Sequence, residues 1–370
     1  MSYLHDLKTV VNINSYTKNK SGVDAVGLIF DNWLEDLGFE TTLYKREEIG
    51  NHRYYTSPEL PNEKKLLLLG HIDTVFPPNT FNEFTDDSEW VYGPGVCDMK
   101  GGNIVMLEAL RELHRHNIPI RNIDILLVSD EETGSDDSKY VTKEIASNYA
   151  YCFVYEAAGE KMEIVSARKG VGTFFIDIEG KASHAGNHYT QGNDANLEAS
   201  HKLQALVALT NLEKGTTVNV GKIEGGIGAN TISPHAKLTF ELRYKSVDER
   251  DRVLKAVEKI VDNAYVAGTI STLSGGIQRD VMQTTQETRT LVENIEKITK
   301  KPLLSEERGG VSDANIVSSC GVVTLDGFGP FGDGDHTVKE RANKESFESR
   351  IELSRVLLQH FVNNLDFKGE

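Results

Sequence analysis

Several residues in this sequence carry donor atoms that can bind a metal ion, and they fall at recurring positions. His71 and Asp73 close KKLLLLGHID, Asp130, Glu131 and Glu132 close NIDILLVSDEE, and Glu156 closes YCFVYEAA. Asp98 lies in the Gly-rich YGPGVCDMKGG, and His336 in FGDGDHTVKE, shortly after the apolar GVVTLDGFG. Imidazole nitrogen and carboxylate oxygen hold zinc at about 2.0–2.2 Å. The set His71, Asp98, Glu132, Glu156 and His336 therefore suits one or two divalent ions. With two ions about 3.5–4 Å apart, one carboxylate can bridge both, and a neighbouring carboxylate is left free to handle protons. Each residue also has an ordinary reading. A strand-end histidine is commonly hydrogen-bonded or at the surface, DEE can be a solvated turn, Asp98 can cap a helix, and a Glu ending a strand is usually exposed. Joint occurrence at successive strand ends weighs towards a site, although spacing alone does not decide it.

The elements that must position these residues follow from the apolar pattern. Leu66–Leu69 is a continuous apolar run, and the runs before Asp130 and Glu156 have the same form. Such runs suit strands buried on both faces of a parallel sheet. GGNIVMLEALRELHRH has helical spacing at Ile104, Leu107, Leu110 and Leu113. Strand and helix patterns in alternation predict a layered α/β domain, whose sites form at the carboxyl ends of its strands. Near residue 170 the pattern changes. Phe174, Ile176 and Ile178 alternate with polar neighbours, as do Leu238, Phe240 and Leu242, which predicts antiparallel strands with one wet face. Helices are expected over about 194–212 and 247–264, with strands over about 216–224 and 268–273. The order is βαββαβ, a ferredoxin-like split arrangement. The expected organisation is an α/β domain of residues 1–168 and 283–370, with a largely parallel central sheet, interrupted by a βαββαβ domain of residues 169–282.

Bulk properties narrow the function. The 370 residues favour two domains. The net charge of −16 argues against nucleic acid as the main partner, because phosphate binding needs a basic patch. Cys97, Cys152 and Cys320 form neither a disulfide framework nor a paired metal motif. The start, MSYLHDLKTVVNINSY, lacks the basic and apolar regions of a signal peptide. No apolar run approaches the roughly 20 residues of a membrane span. A cytoplasmic protein with no membrane partner is expected.

GHIDTVFP, YGPGVCDMKGG, SDEETGS, the EAA after a strand, GKASHAG and GDGDHT occur in an order that resembles the M20 metallopeptidases. The likeness spans nearly the whole chain and is greatest to the carboxypeptidase G2-like (glutamate carboxypeptidase) branch. The resemblance implies two zinc ions, with cobalt or manganese able to replace them. His71 and Glu156 would bind one ion, His336 and Glu132 the other, and Asp98 would bridge them. Asp73 would orient His71, and a cis peptide bond would follow Asp98. Glu131 would be the general base, taking a proton from the attacking water and returning it to the leaving amine. The inserted domain would form a homodimer and lend His184 to the partner's site. Asn230, Arg243, Gly309 and Gly310 would contact substrate, with Arg279 a further candidate. A guanidinium suits a substrate carboxylate. Two features depart from the family pattern: EAA stands where EPT is common, and Asp333 and Asp335 flank His336 without an evident role.

The expected activity is release of a C-terminal amino acid, glutamate foremost, from a small peptide or N-acyl conjugate. An N-acyl-amino-acid deacylase acting on acetylornithine or succinyl-diaminopimelate is the alternative within the family. A metal-binding scaffold without turnover is the alternative outside it, and the general-base candidate Glu131 argues against that.

Overall fold

The apolar runs of the larger unit become the interior of a six-stranded sheet in a computed structural model that describes residues 2–368. This unit comprises Met1–Ala167, Thr284–Arg308 and Ser312–Glu370. Strands Ile123–Val128, Leu66–His71, Tyr151–Val154 and Val323–Leu325 lie side by side in that order, all parallel. Every residue of Leu66–His71 and Ile123–Val128 is buried, as expected where helices cover both faces of a parallel sheet. An antiparallel pair, Glu40–Tyr44 and His52–Thr56, extends one edge. The central sheet is thus largely parallel, as its sequence pattern predicts.

Two long helices belong to the same core. Lys100–Arg115 packs against the Leu66–His71 strand and the closing helix Lys344–Asn364. Its glycines are a packing requirement. A Cβ at Gly102 would lie 1.8 Å from the Tyr155 carbonyl oxygen, and one at Gly101 would lie 2.0 Å from that of Val96. Glycine lets the start of this helix press against the chain that leads into Glu156.

A small antiparallel sheet was not legible in the sequence. It joins Gly332–Asp333, Arg341–Asn343, Trp90–Tyr92 and Thr85–Asp86, in strands too short to alternate visibly. His336 sits in the hairpin loop between the first two. The Asp333 carboxylate accepts two hydrogen bonds from Arg341, at 2.9 and 3.0 Å, and that guanidinium lies 4.0 Å from the Trp90 ring centroid. Asp333 therefore fastens the hairpin, while Asp335 is exposed.

The smaller unit comprises Arg168–Gln283 and Gly309–Val311. Its antiparallel strands run in the order Thr217–Gly225, His235–Tyr244, Gly170–Glu179 and Ile270–Arg279. With helices Ala195–Val207 and Val247–Asp262 the order along the chain is βαββαβ. Phe174, Ile176, Ile178, Leu238, Phe240 and Leu242 are buried in one core, and Phe174 stacks on its register partner Phe240 at 5.2 Å. Asp194 and Ser246 cap the helices by accepting from backbone N–H groups. The last strand is longer than the expected 268–273 because Gly275 and Gly276 hide its alternation. Gly275, at φ +90°, lies where a Cβ would come within 2.3 Å of the Thr173 carbonyl oxygen. Among the described residues no helix is long and apolar enough to cross a membrane.

Glu249 ties the smaller unit to pH. Hydrogen bonds from Arg252 are the main cause that lowers this buried carboxyl to about 2, with Thr216 and Lys214 assisting. A carboxyl depressed in the folded state stabilises fully above its unfolded value and loses that contribution as pH falls through its folded value. Glu249→Gln is expected to cost about 1.5–3 kcal/mol at pH 7, the range for charge-assisted hydrogen bonds. The gap to the parent should narrow between about pH 4.5 and 2, as measured by denaturant unfolding.

Candidate metal centre

The carboxyl ends of the parallel strands deliver their side chains to one place. His71 is buried, and its Nε2 lies 3.0 Å from Asp98 Oδ1 and 3.7 Å from Glu156 Oε1. His336 Nε2 lies 3.2 Å from Asp98 Oδ2 and 3.1 Å from Glu132 Oε2. The two oxygens of Asp98 thus face two different histidines, each with its own glutamate. One ligand atom each from His71, Asp98 and Glu132 falls within 4.8 Å of the others. The Asp98–Met99 peptide bond is cis. Asp98 does not cap the following helix, whose N-cap is Met99, and Glu156 is buried rather than exposed.

Asp73 lies wholly buried beneath this cluster and organises it. Its backbone carbonyl is 3.0 Å from His71 Nδ1. Its carboxylate accepts from the backbone N–H groups of Glu131 and Glu132, at 3.3 and 3.2 Å, and from the Thr17 hydroxyl at 2.7 Å. With Nδ1 directed at the Asp73 carbonyl, His71 turns Nε2 towards the carboxylates, where its lone pair would be available to a bound cation. Asn103 fixes the same strand end by donating to the His71 carbonyl at 2.6 Å.

The electrostatics call for positive charge. Burial and the charge of Asp98 push Glu132 up to about 8. Burial, then Asp98 and Glu131, push Glu156 well above the usual carboxylate range. Burial would raise Asp98 too, but hydrogen bonds with His336 and His71 hold it below that range. Contacts with Asp98 and Glu132 raise His336 to about 11. Glu132 Oε1 is buried with no hydrogen-bond partner. An orphaned carboxylate oxygen, two imidazole nitrogens and crowded like charges fit divalent cations of the zinc, cobalt or manganese kind.

Other supports escaped sequence reasoning. His52 is buried, with Nδ1 accepting from the Ser129 N–H at 3.3 Å and Nε2 lying 2.9 Å from Asp137 Oδ1. It joins the two ends of the segment that carries Glu131 and Glu132. Glu340 accepts from three backbone N–H groups of the loop that carries Asp98. Neither residue belongs to a spacing pattern that would reveal it.

The remaining candidates lie in the smaller unit. His184 and Asn230 are neighbours there, through the Ala185 N–H to Asn230 carbonyl bond at 3.0 Å. His184 is exposed, and its Nδ1 accepts from the Gly186 N–H at 3.1 Å. Arg243 donates to both carboxylate oxygens of Glu241, at 2.7 and 3.3 Å, and to the Gly309 carbonyl at 3.0 Å. A Cβ at Gly309 or Gly310 would meet nothing within 4 Å. Arg279 is buried.

Residues 67–360 match the model of peptidase family M20/M25/M40. The chain belongs to that family. It is 30% identical to carboxypeptidase G2 of Pseudomonas sp. (strain RS-16) over 260 residues, 68% of this chain but only 62% of that protein. It is 27% identical to the succinyl-diaminopimelate desuccinylase of Rickettsia akari (strain Hartford), over 91% of this chain and 94% of that one. The fold is similar to the crystal structure of aminopeptidase PepT from Bacillus cereus ATCC 10987, with a TM-score of 0.80, 22% identity and 98% coverage of both chains. This M20 chain is an enzyme of the peptidase and amidohydrolase type, in a family that depends on metal.

Cations should stabilise this M20 centre by relieving its crowding. Zinc added to chelator-treated protein at 100 times its dissociation constant should stabilise the fold by about 2.7 kcal/mol. Asp98→Asn should lose most of that response in thermal unfolding, because the carboxylate facing both histidines loses its charge.

Proposed function

We propose that this protein is a two-cation carboxypeptidase that hydrolyses an amide bond to release a C-terminal amino acid, glutamate foremost, from a small peptide or N-acyl conjugate. The observation that carries the reading is the shared anchorage of Glu131 and Glu132. Both backbone N–H groups reach the Asp73 carboxylate, and the Glu132 side chain contacts His336. This anchorage supports a division in which Glu132 would hold a cation and Glu131 would move protons. His71, Glu156 and Asp98 would hold one ion, and His336, Glu132 and Asp98 the other, with zinc foremost and cobalt or manganese as alternatives. When bound, the ions supply Lewis acidity for the scissile carbonyl and the attacking water.

The chain's own residues do the rest. Glu131 takes the proton of the attacking water and delivers it to the leaving amine. Asp73 holds the His71 ring in one tautomer and orientation. Arg243 binds the terminal carboxylate. Its two-pronged grip on Glu241 supports this role, because a substrate carboxylate has the same shape. Asn230, Gly309 and Gly310 line the substrate, and His184 of the partner subunit donates to the developing oxyanion in a cytoplasmic homodimer formed through the smaller unit.

The similarity to a desuccinylase over 94% of that protein favours a second reading, an N-acyl-amino-acid deacylase using the same centre. A panel of N-acyl-glutamates, dipeptides, N-acetylornithine and succinyl-diaminopimelate separates the two. We expect turnover of the first two groups, and cleavage of only the last two compounds would sink the carboxypeptidase reading.

Glu131→Gln should retain both cations by elemental analysis and lose about 10²–10⁴-fold in kcat, the usual span for a general base. Mixing that variant with His184→Ala should restore activity through mixed dimers that keep one competent site. No recovery would remove His184 from the partner's site.

A further inference from the structure

One carboxylate from the His336 hairpin is sunk beneath the loop that carries Asp98. Glu340 is 0% exposed and follows His336 by four positions. Its Oε1 accepts from the N–H groups of Cys97, at 2.9 Å, and Asp98, at 3.0 Å. Its Oε2 accepts from the Gly95 N–H at 3.0 Å. The Glu340 carbonyl also accepts from the Gly93 N–H at 3.4 Å. Converging backbone N–H groups form a nest for an anion, and here the protein's own carboxylate fills it.

The donors lie in the segment whose backbone sets where Asp98 points. Asp98 must face His71 with one oxygen and His336 with the other. Glu340 therefore joins the loop that bears the shared carboxylate to the hairpin that bears one of its histidines. Gly332, in the same hairpin, has no room for a Cβ, which would come within 2.6 Å of Cys97 Sγ.

We propose that Glu340 is a positioning residue that holds Asp98 between His71 and His336 and so sets the affinity of the centre for divalent cations. It acts through the loop backbone and touches neither substrate nor cation. The inference rests on the cation reading of the His71, Asp98 and Glu132 cluster. A glutamine at this position keeps one acceptor oxygen and turns an NH₂ group towards peptide donors. An aspartate keeps both oxygens but stops one methylene short.

The test uses the full-length, metal-free protein and zinc ion as the probe. Zinc affinity is measured by competition with a chromogenic chelator for the parent, Glu340→Gln, Glu340→Asp and Val257→Ala. The last removes core volume in the smaller unit and controls for lost stability. Amide hydrogen exchange of the metal-free proteins is followed in parallel. Glu340→Gln should weaken zinc binding at least tenfold and speed exchange selectively in residues 93–99, with Glu340→Asp intermediate and Val257→Ala unchanged in both. Unaltered zinc affinity in a folded Glu340→Gln protein would overturn the proposal. So would a failure of both Glu340 variants to fold, since Glu340 would then serve the fold as a whole. A parent protein that binds no zinc would refute the cation reading itself. The exchange data would still show whether Glu340 holds the loop.

Discussion

Like charges held at close range govern this structure. Asp98, Glu132 and Glu156 converge on two imidazoles at the edge of the parallel sheet, and their burial raises the cost of every negative charge. Without compensation Glu132 and Glu156 give up their ordinary acidity. Such a cluster persists only if the surrounding fold over-determines it. Much of the larger unit can be understood as that over-determination.

Backbone hydrogen bonds to buried acids are the means. Asp73 gathers the N–H groups of Glu131 and Glu132, and Glu340 gathers those of Gly95, Cys97 and Asp98. Each acid fixes the main chain from which another acid projects, so ligand-type side chains inherit their directions from the backbone. His52 adds a clasp between Ser129 and Asp137. The glycines at 101 and 102 permit the helix after Asp98 to approach Val96 and Tyr155 closely. Side chains at these positions would push the Asp98 loop away from the strand that ends at Glu156.

Those physical roles explain what could be seen in the sequence. The parallel strands were legible because burial on both faces imposes continuous apolar runs such as Leu66–Leu69. The smaller unit was legible because one wet face imposes alternation, as in Phe174–Ile178. The strand-end rule then brought His71, Asp98, Glu132, Glu156 and His336 into one candidate set. Asp73 was visible as a strand-end carboxylate, but its supporting role was suggested only by its place in GHIDT, and Glu340, His52 and Asn103 were invisible. Their partners are backbone groups or residues remote in sequence, and a hydrogen bond to a remote amide leaves no periodic trace. Asp333 was opaque for a related reason, since its partner Arg341 lies across a hairpin of very short strands.

In its proposed role, Arg243 would keep substrate recognition in reserve. Its guanidinium is already satisfied by Glu241 and the Gly309 carbonyl. A substrate carboxylate would have to displace Glu241, and the gain on binding is the difference between two similar ion pairs. Both groups are half-exposed, where such pairs contribute little net energy. The exchange would therefore confer selectivity for a carboxylate with little net affinity. The internal pair keeps the guanidinium extended and oriented, so less side-chain freedom is lost when a ligand arrives. On this argument Glu241 would hold the proposed recognition arginine ready, in the way that Asp73 and Glu340 hold the backbone of the candidate ligands.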